Sequence, residues 1–117
     1  MNIEEIREYC LDKPGVTEGL PFNDTALVFK VMGKMFALTD VDAFESINLK
    51  CDPELAVELR ERHEEVLPGY HMNKKHWNTI RTDGTLSDHL LMGWIDHSYD
   101  LVVKNLPKNL QKALGSM

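Results

Sequence analysis

Cysteine is scarce in this chain: Cys10 and Cys51 are the only two among 117 residues, far apart and outside any CxxC pattern. That argues against a disulfide framework and for a reducing cytoplasm, with both thiols read as small core residues. Long apolar runs are missing too, and none approaches the ~18 residues that a membrane span requires. The opening MNIEEIREYC has two acids in its first five residues and no apolar core, so it is expected to be neither a secretory signal nor a transit peptide. No GxSxG, HExxH or comparable local signature assembles a catalytic set, so no enzyme activity, cofactor or metal is expected. Positive charge is in deficit, with 13 Lys/Arg against 19 Asp/Glu, a net charge of -6 and a pI near 5.3. Blanket attraction to nucleic acid is thereby excluded, whereas a local basic face is not.

The deficit is uneven along the chain. Residues 1–65 hold 15 acids and 7 Lys/Arg, a net of -8, and residues 66–117 hold 4 acids and 6 Lys/Arg, a net of +2. Hydrophobic residues make up 43% and charged residues 27%, with Gly and Pro scattered. These are the proportions of one folded domain, expected over 1–117 and expected to be monomeric, without linker, repeat or low-complexity stretch.

Local patterns set the elements. Asn2 followed by Glu5 is a variant capping box, and Ile3, Ile6 and Cys10 share one face of the helix it opens, until Lys13-Pro14-Gly15 ends it. Glu4, Glu5, Glu8 and Asp12 form an acidic ridge opposite that stripe. Three strand-like segments follow, ALVFKVM, KMFALTD and ESINLKC, the first two joined by a tight turn around Gly33. Ile47, Leu49 and Cys51 alternate with polar residues, and Lys30, Lys34 and Lys50 are placed on the wet face. Asp52-Pro53 starts a second helix expected to run to Leu67, with Leu55, Leu59 and Val66 inward. HWNTIRT reads as a fourth strand. Ser87 caps a long helix carrying Leu90, Leu91, Trp94, Ile95, Tyr99, Val102 and Leu106 at helical spacing, and Pro107 ends it or starts a short terminal one. The order α-β-β-β-α-β-α predicts an α+β, two-layer architecture, in which helices cover an antiparallel sheet of four strands or slightly more.

One stretch stands apart. PGYHMNKKHWNTI, residues 68–80, packs two histidines, two lysines, two asparagines and a tryptophan together without a carboxylate. His71 and His76 have no third ligand nearby, which argues against zinc. As a recognition surface, Lys74 and Lys75 offer point charges for phosphate, Asn73 and Asn78 offer hydrogen bonds, and Tyr70, His76 or Trp77 offers a ring to stack on a base. The alternative is that Tyr70 and Trp77 pack in the core while Pro68-Gly69 shapes a turn. Lys104, Lys108 and Lys112, four apart without an intervening acid, would extend a basic strip beside Lys74 and Lys75.

Taken in series, LPFND, VFKVMGKMFAL, INLKCDPE, LPGYHMNKKHWNTI and SYDLVVKNLPK resemble the MmcQ/YjbR-like family of small bacterial proteins over nearly the whole chain. The resemblance implies a fold similar to the frataxin/CyaY type. It also implies DNA binding through a double-wing arrangement of strands and loops. Matched position by position, it brings the polar residues Lys34, Lys50, His71, Asn73, Lys74, His76, Asn78 and Ser98 and the aromatics Trp77 and Tyr99, with no catalytic residue. Two other expectations stand beside DNA: a protein-interaction or metal-handling module using the acidic first helix, and a small anionic ligand held around Lys50, His71 and His76.

Overall fold

The first helix follows from its cap. The Asn2 side chain accepts from the Glu5 N–H at 2.8 Å, and Glu5 returns a bond to the Asn2 N–H at 3.0 Å, so α1 (Ile3–Leu11) begins where the capping box places it. The computed structural model describes residues 1–117. After α1 come β1 (Val16–Gly19), β2 (Ala26–Val31), β3 (Lys34–Asp40), β4 (Ser46–Lys50), α2 (Pro53–Arg62), β5 (Val66–Pro68), β6 (Trp77–Arg81), α3 (Asp88–Lys104) and α4 (Lys108–Gly115). Met32 and Gly33 both take positive φ, 49° and 84°, the turn whose twist suits a two-residue hairpin between β2 and β3.

The α+β class stands, but the sheet has six strands in the order β1-β2-β3-β4-β6-β5, all neighbours antiparallel. The expected four-stranded sheet and the frataxin-like element order are therefore corrected by two strands, both at sheet edges. β1 carries no apolar alternation and exists because its backbone pairs with β2, Val16 opposite Val31. β5 lies in the Glu-rich run that reads as helix by propensity. That helix instead stops at Arg62, His63 turns extended at φ -129° and ψ 121°, and Val66 pairs with Ile80 rather than continuing α2. Pro68 fits β5 because an edge strand tolerates a residue without an N–H.

The register places Leu27, Phe29, Ala37, Ile47, Leu49 and Ile80 on one face, where they form a single buried cluster with Ile6 and Cys10 of α1, Leu91, Ile95, Tyr99 and Val102 of α3, and Leu114 of α4. Each fully buried Leu, Ile or Phe there contributes roughly 1.5–3 kcal/mol relative to exposure. Cys10 and Cys51 are both buried, and burial pushes their thiols up to about 12 and about 11, far from thiolate at neutral pH. No helix is long and apolar enough to cross a membrane.

Among the polar contacts that fasten α3 to the rest, those of Ser98 and Asp96 reach the sheet and the first helix. Ser98 donates to the Phe36 carbonyl at 2.6 Å and accepts from the Lys50 N–H at 2.9 Å, bridging β3 and β4 just beyond their last paired residues, Ala37 and Leu49. Asp96 receives Tyr9 Oη at 2.6 Å and Lys13 Nζ at 2.5 Å, tying α3 to α1 and the turn after it. Burial opposes ionisation of Asp96, yet the hydrogen bonds from Lys13 and Tyr9 hold its carboxyl below the usual value.

Ser98→Ala removes a fully buried hydroxyl and orphans a strand N–H and carbonyl, so urea unfolding should show a loss of about 1–3 kcal/mol without a change of fold. Because the Asp96 carboxyl is depressed in the folded state, its stabilisation is complete above the unfolded value near pH ~4 and is lost as pH falls through the folded one. The melting-temperature gap between wild type and Asp96→Asn should therefore be constant from neutral pH down to about 5 and close on further acidification.

Candidate functional site

The stretch 68–80 folds as a short edge strand, a loop and the start of β6, and it is tied down at nearly every residue. Gly69 N–H donates to the Trp77 carbonyl at 3.0 Å, Tyr70 N–H to Thr79 Oγ1 at 2.9 Å, and Cys51 N–H to the His76 carbonyl at 2.8 Å. Asn73 Oδ1 accepts from the N–H groups of Lys75, at 2.9 Å, and His76, at 3.3 Å, closing a turn on itself. His71 takes φ 58° and lays its ring against Tyr70, centroids 4.0 Å apart. Gly69 is obligatory by space: a Cβ there would meet Trp77 Cβ and O at 2.9 Å and Met72 Cβ at 3.0 Å.

The group that holds this loop was not anticipated. Arg60, on α2, donates Nε to Asn78 Oδ1 at 2.7 Å and its Nη2 to the carbonyls of Lys74 and Trp77, while Asn78 Nδ2 reaches the Ala56 carbonyl at 3.4 Å. The spacing of Ala56 and Arg60, one helical turn apart, was the signal available, since it puts the arginine on the buried side of α2. Asn78 was expected among the contacting polar residues; it is 1% exposed and bonded within the protein, so it supports the loop instead. Asn73 likewise spends its oxygen on the backbone.

The remaining predicted residues separate into three places. Lys74 and Lys75 line a groove of about 520 Å³ against Pro53, Glu54, Val57 and Arg60 of α2. Lys74 Nζ also touches the Gly69 carbonyl at 3.1 Å. Lys34 and Lys50 lie elsewhere, in a cleft of about 290 Å³ with Met35, Trp77, Asn105 and Leu106, where β3 begins, β4 ends and the last turn of α3 closes over. Lys104 and Lys108 are exposed at the end of α3 and the start of α4, and neither helix contributes to the groove, so the expected strip does not run into Lys74 and Lys75. The two aromatics of the stretch part company: Trp77 is 8% exposed and Tyr70 is 69% exposed. Tyr99 is a core residue, its hydroxyl donating to the Pro14 carbonyl at 2.6 Å and its ring edge-on to Phe36. The Lys50 cleft is lined by neither His71 nor His76, so the expected pocket around those three residues is not assembled. No three His, Cys, Asp or Glu converge as metal ligands, the acidic ridge of α1 included.

A family model described as YjbR matches residues 11–101. The chain belongs to the YjbR family. The uncharacterized protein YjbR of Escherichia coli K12 is 37% identical over 115 residues, covering 97% of this chain and 98% of that one. The uncharacterized protein YbdF of Escherichia coli O157:H7 is 37% identical over 110 residues, with 93% and 90% covered. Among solved structures, the crystal structure of Deinococcus radiodurans protein DR2400 superposes with a TM-score of 0.89 at 42% identity, over 97% of this chain and 88% of that one. A Pseudomonas syringae crystal structure gives 0.74 at 28% identity, over 86% and 98%. YjbR membership accords with the motifs quoted above, and the Arg60-pinned loop is how this YjbR chain shapes its most polar segment.

Arg60→Ala strips the loop of three hydrogen bonds and leaves Asn78 Oδ1 unpaired in the interior. It should cost about 2–4 kcal/mol by urea unfolding and speed amide exchange in residues 69–77 selectively, whereas the exposed control Arg62→Ala should change stability by under about 0.5 kcal/mol.

Proposed function

We propose that this YjbR-family protein is a non-catalytic nucleic-acid-binding protein that takes backbone phosphates into the groove between α2 and the loop of residues 69–76. The carrying observation is the convergence of Arg60, Lys74 and Lys75 on one groove with a single carboxylate, Glu54, among its lining residues. Arg60 is paired only with neutral oxygens, so its charge is not cancelled where it stands. Lysines bind phosphate as point charges and read no base edge, so the reading is one of weak sequence preference.

Screening confines the influence of exposed charges to about 8–10 Å at physiological salt, so the total of -6 matters less than the acids of α2 itself: Glu54 lines the groove, Glu58 is paired with Arg62, and Glu61 is exposed.

Fluorescence anisotropy of a short labelled duplex and the matching single strand, from about 20 to 200 mM salt, tests the proposal. Binding should weaken with a log–log slope of about -2 to -3, the value for three neutralised phosphates, and the Lys74→Ala/Lys75→Ala variant should flatten that slope by about 2. No binding at the lowest salt, or a slope untouched by the double variant, rejects it.

A further inference from the structure

The second basic hollow has a different character from the groove. Its walls carry donors and no carboxylate: Lys34 at the start of β3, Lys50 at the end of β4, and Trp77, which faces Lys50 across the β4–β6 ladder. Neither lysine enters an ion pair. Trp77 is 8% exposed, and its indole N–H makes no hydrogen bond within the protein. Two ammonium groups outside any ion pair on one cleft recognise an oxyanion of more than one negative charge. The rest of the wall is Met35, Val102 and Leu106 with one polar residue, Asn105, so the space left by the anionic head suits a compact organic body. At about 290 Å³ the cleft stands at the lower end of the range for small-molecule sites.

From this juxtaposition we infer that the cleft between the β3–β4 strand ends and the last turn of α3 binds a small organic phosphate, of the size of a nucleoside monophosphate. The phosphate lies between Lys34 and Lys50, and the organic body rests on Met35 and Leu106. The site shares no lining residue with the groove of Arg60, Lys74 and Lys75, so it stands or falls separately from nucleic-acid binding there.

The test is a titration of the full chain with AMP, adenosine and inorganic phosphate, followed at the two tryptophan indole N–H signals in a nitrogen-proton NMR spectrum and assigned with Trp94→Phe. AMP should move the Trp77 signal saturably and leave that of Trp94 in place. Lys50→Met and, should that variant fold poorly, Lys34→Met should weaken AMP at least about tenfold, while Lys74→Ala/Lys75→Ala leaves it unchanged. A 5′-phosphorylated oligonucleotide and its unphosphorylated twin identify the source. If the phosphorylated strand alone competes with AMP, the cleft takes a strand end, and if neither competes, it takes a free nucleotide; both outcomes support the site. Adenosine moving the Trp77 signal as far as AMP does, or AMP failing to saturate by about 10 mM, overturns it.

Discussion

The guanidinium of Arg60 is the constraint around which the functional half of the molecule is arranged. Only Ala56 of α2 is fully buried, so that helix has little apolar surface with which to hold its place. What fixes it is a set of hydrogen bonds from a charged donor to Asn78, to the Lys74 carbonyl of the loop and to the Trp77 carbonyl at the start of β6. Bonds to a charged partner are stronger than neutral ones, and the planar fork reaches several acceptors at once. A carboxylate partner would have held the loop equally well and cancelled the charge. Neutral acceptors leave the positive potential in the groove, so one side chain both builds the surface and contributes to its chemistry.

A second polar device works at the same end of the β4–β6 ladder, where Lys50 pairs with Trp77. The Ser98 hydroxyl spans the Phe36 carbonyl and the Lys50 N–H, and the cleft of Lys34, Lys50 and Trp77 lies at this same end, under the C-terminal turn of α3. Both hollows therefore arise where the hydrogen-bonded framework is completed by side chains rather than by backbone pairing. They converge on β6. The carbonyl of Trp77 accepts from Arg60 on the groove side, and the same residue lines the cleft.

Charge is sorted by element in a way that the total conceals. α1 presents Glu4, Glu5 and Glu8 to solvent, and α2 presents Glu58 and Glu61, while the lysines of the second half of the chain gather on the loop and the ends of α3 and α4. Asp96, which would otherwise add to the acidic excess, is engaged by Lys13 and Tyr9 and acts as a fastener between helices.

Much of the architecture was legible in the chain itself, because local chemistry decides it: the Asn2 and Ser87 caps, the Met32-Gly33 turn, the alternation in β4, and the helical stripe of α3 all form where periodicity and capping place them. The family, too, was visible in the quoted motifs. The edge strands were not, since β1 and β5 owe their conformation to the partner strand and not to their own composition, and Val66 therefore left the helix to which propensity assigned it. Nor could the sequence say which polar residues of the 68–80 stretch face outward. Lysine, asparagine and tyrosine read alike as recognition groups until packing turns Asn78 inward onto Arg60 and leaves Tyr70, Lys74 and Lys75 outside. Composition determined that a basic, aromatic segment exists. Only long-range contacts, between residues 18 apart in the Arg60–Asn78 pair and 48 apart in the Ser98–Lys50 pair, decided what that segment offers to a ligand.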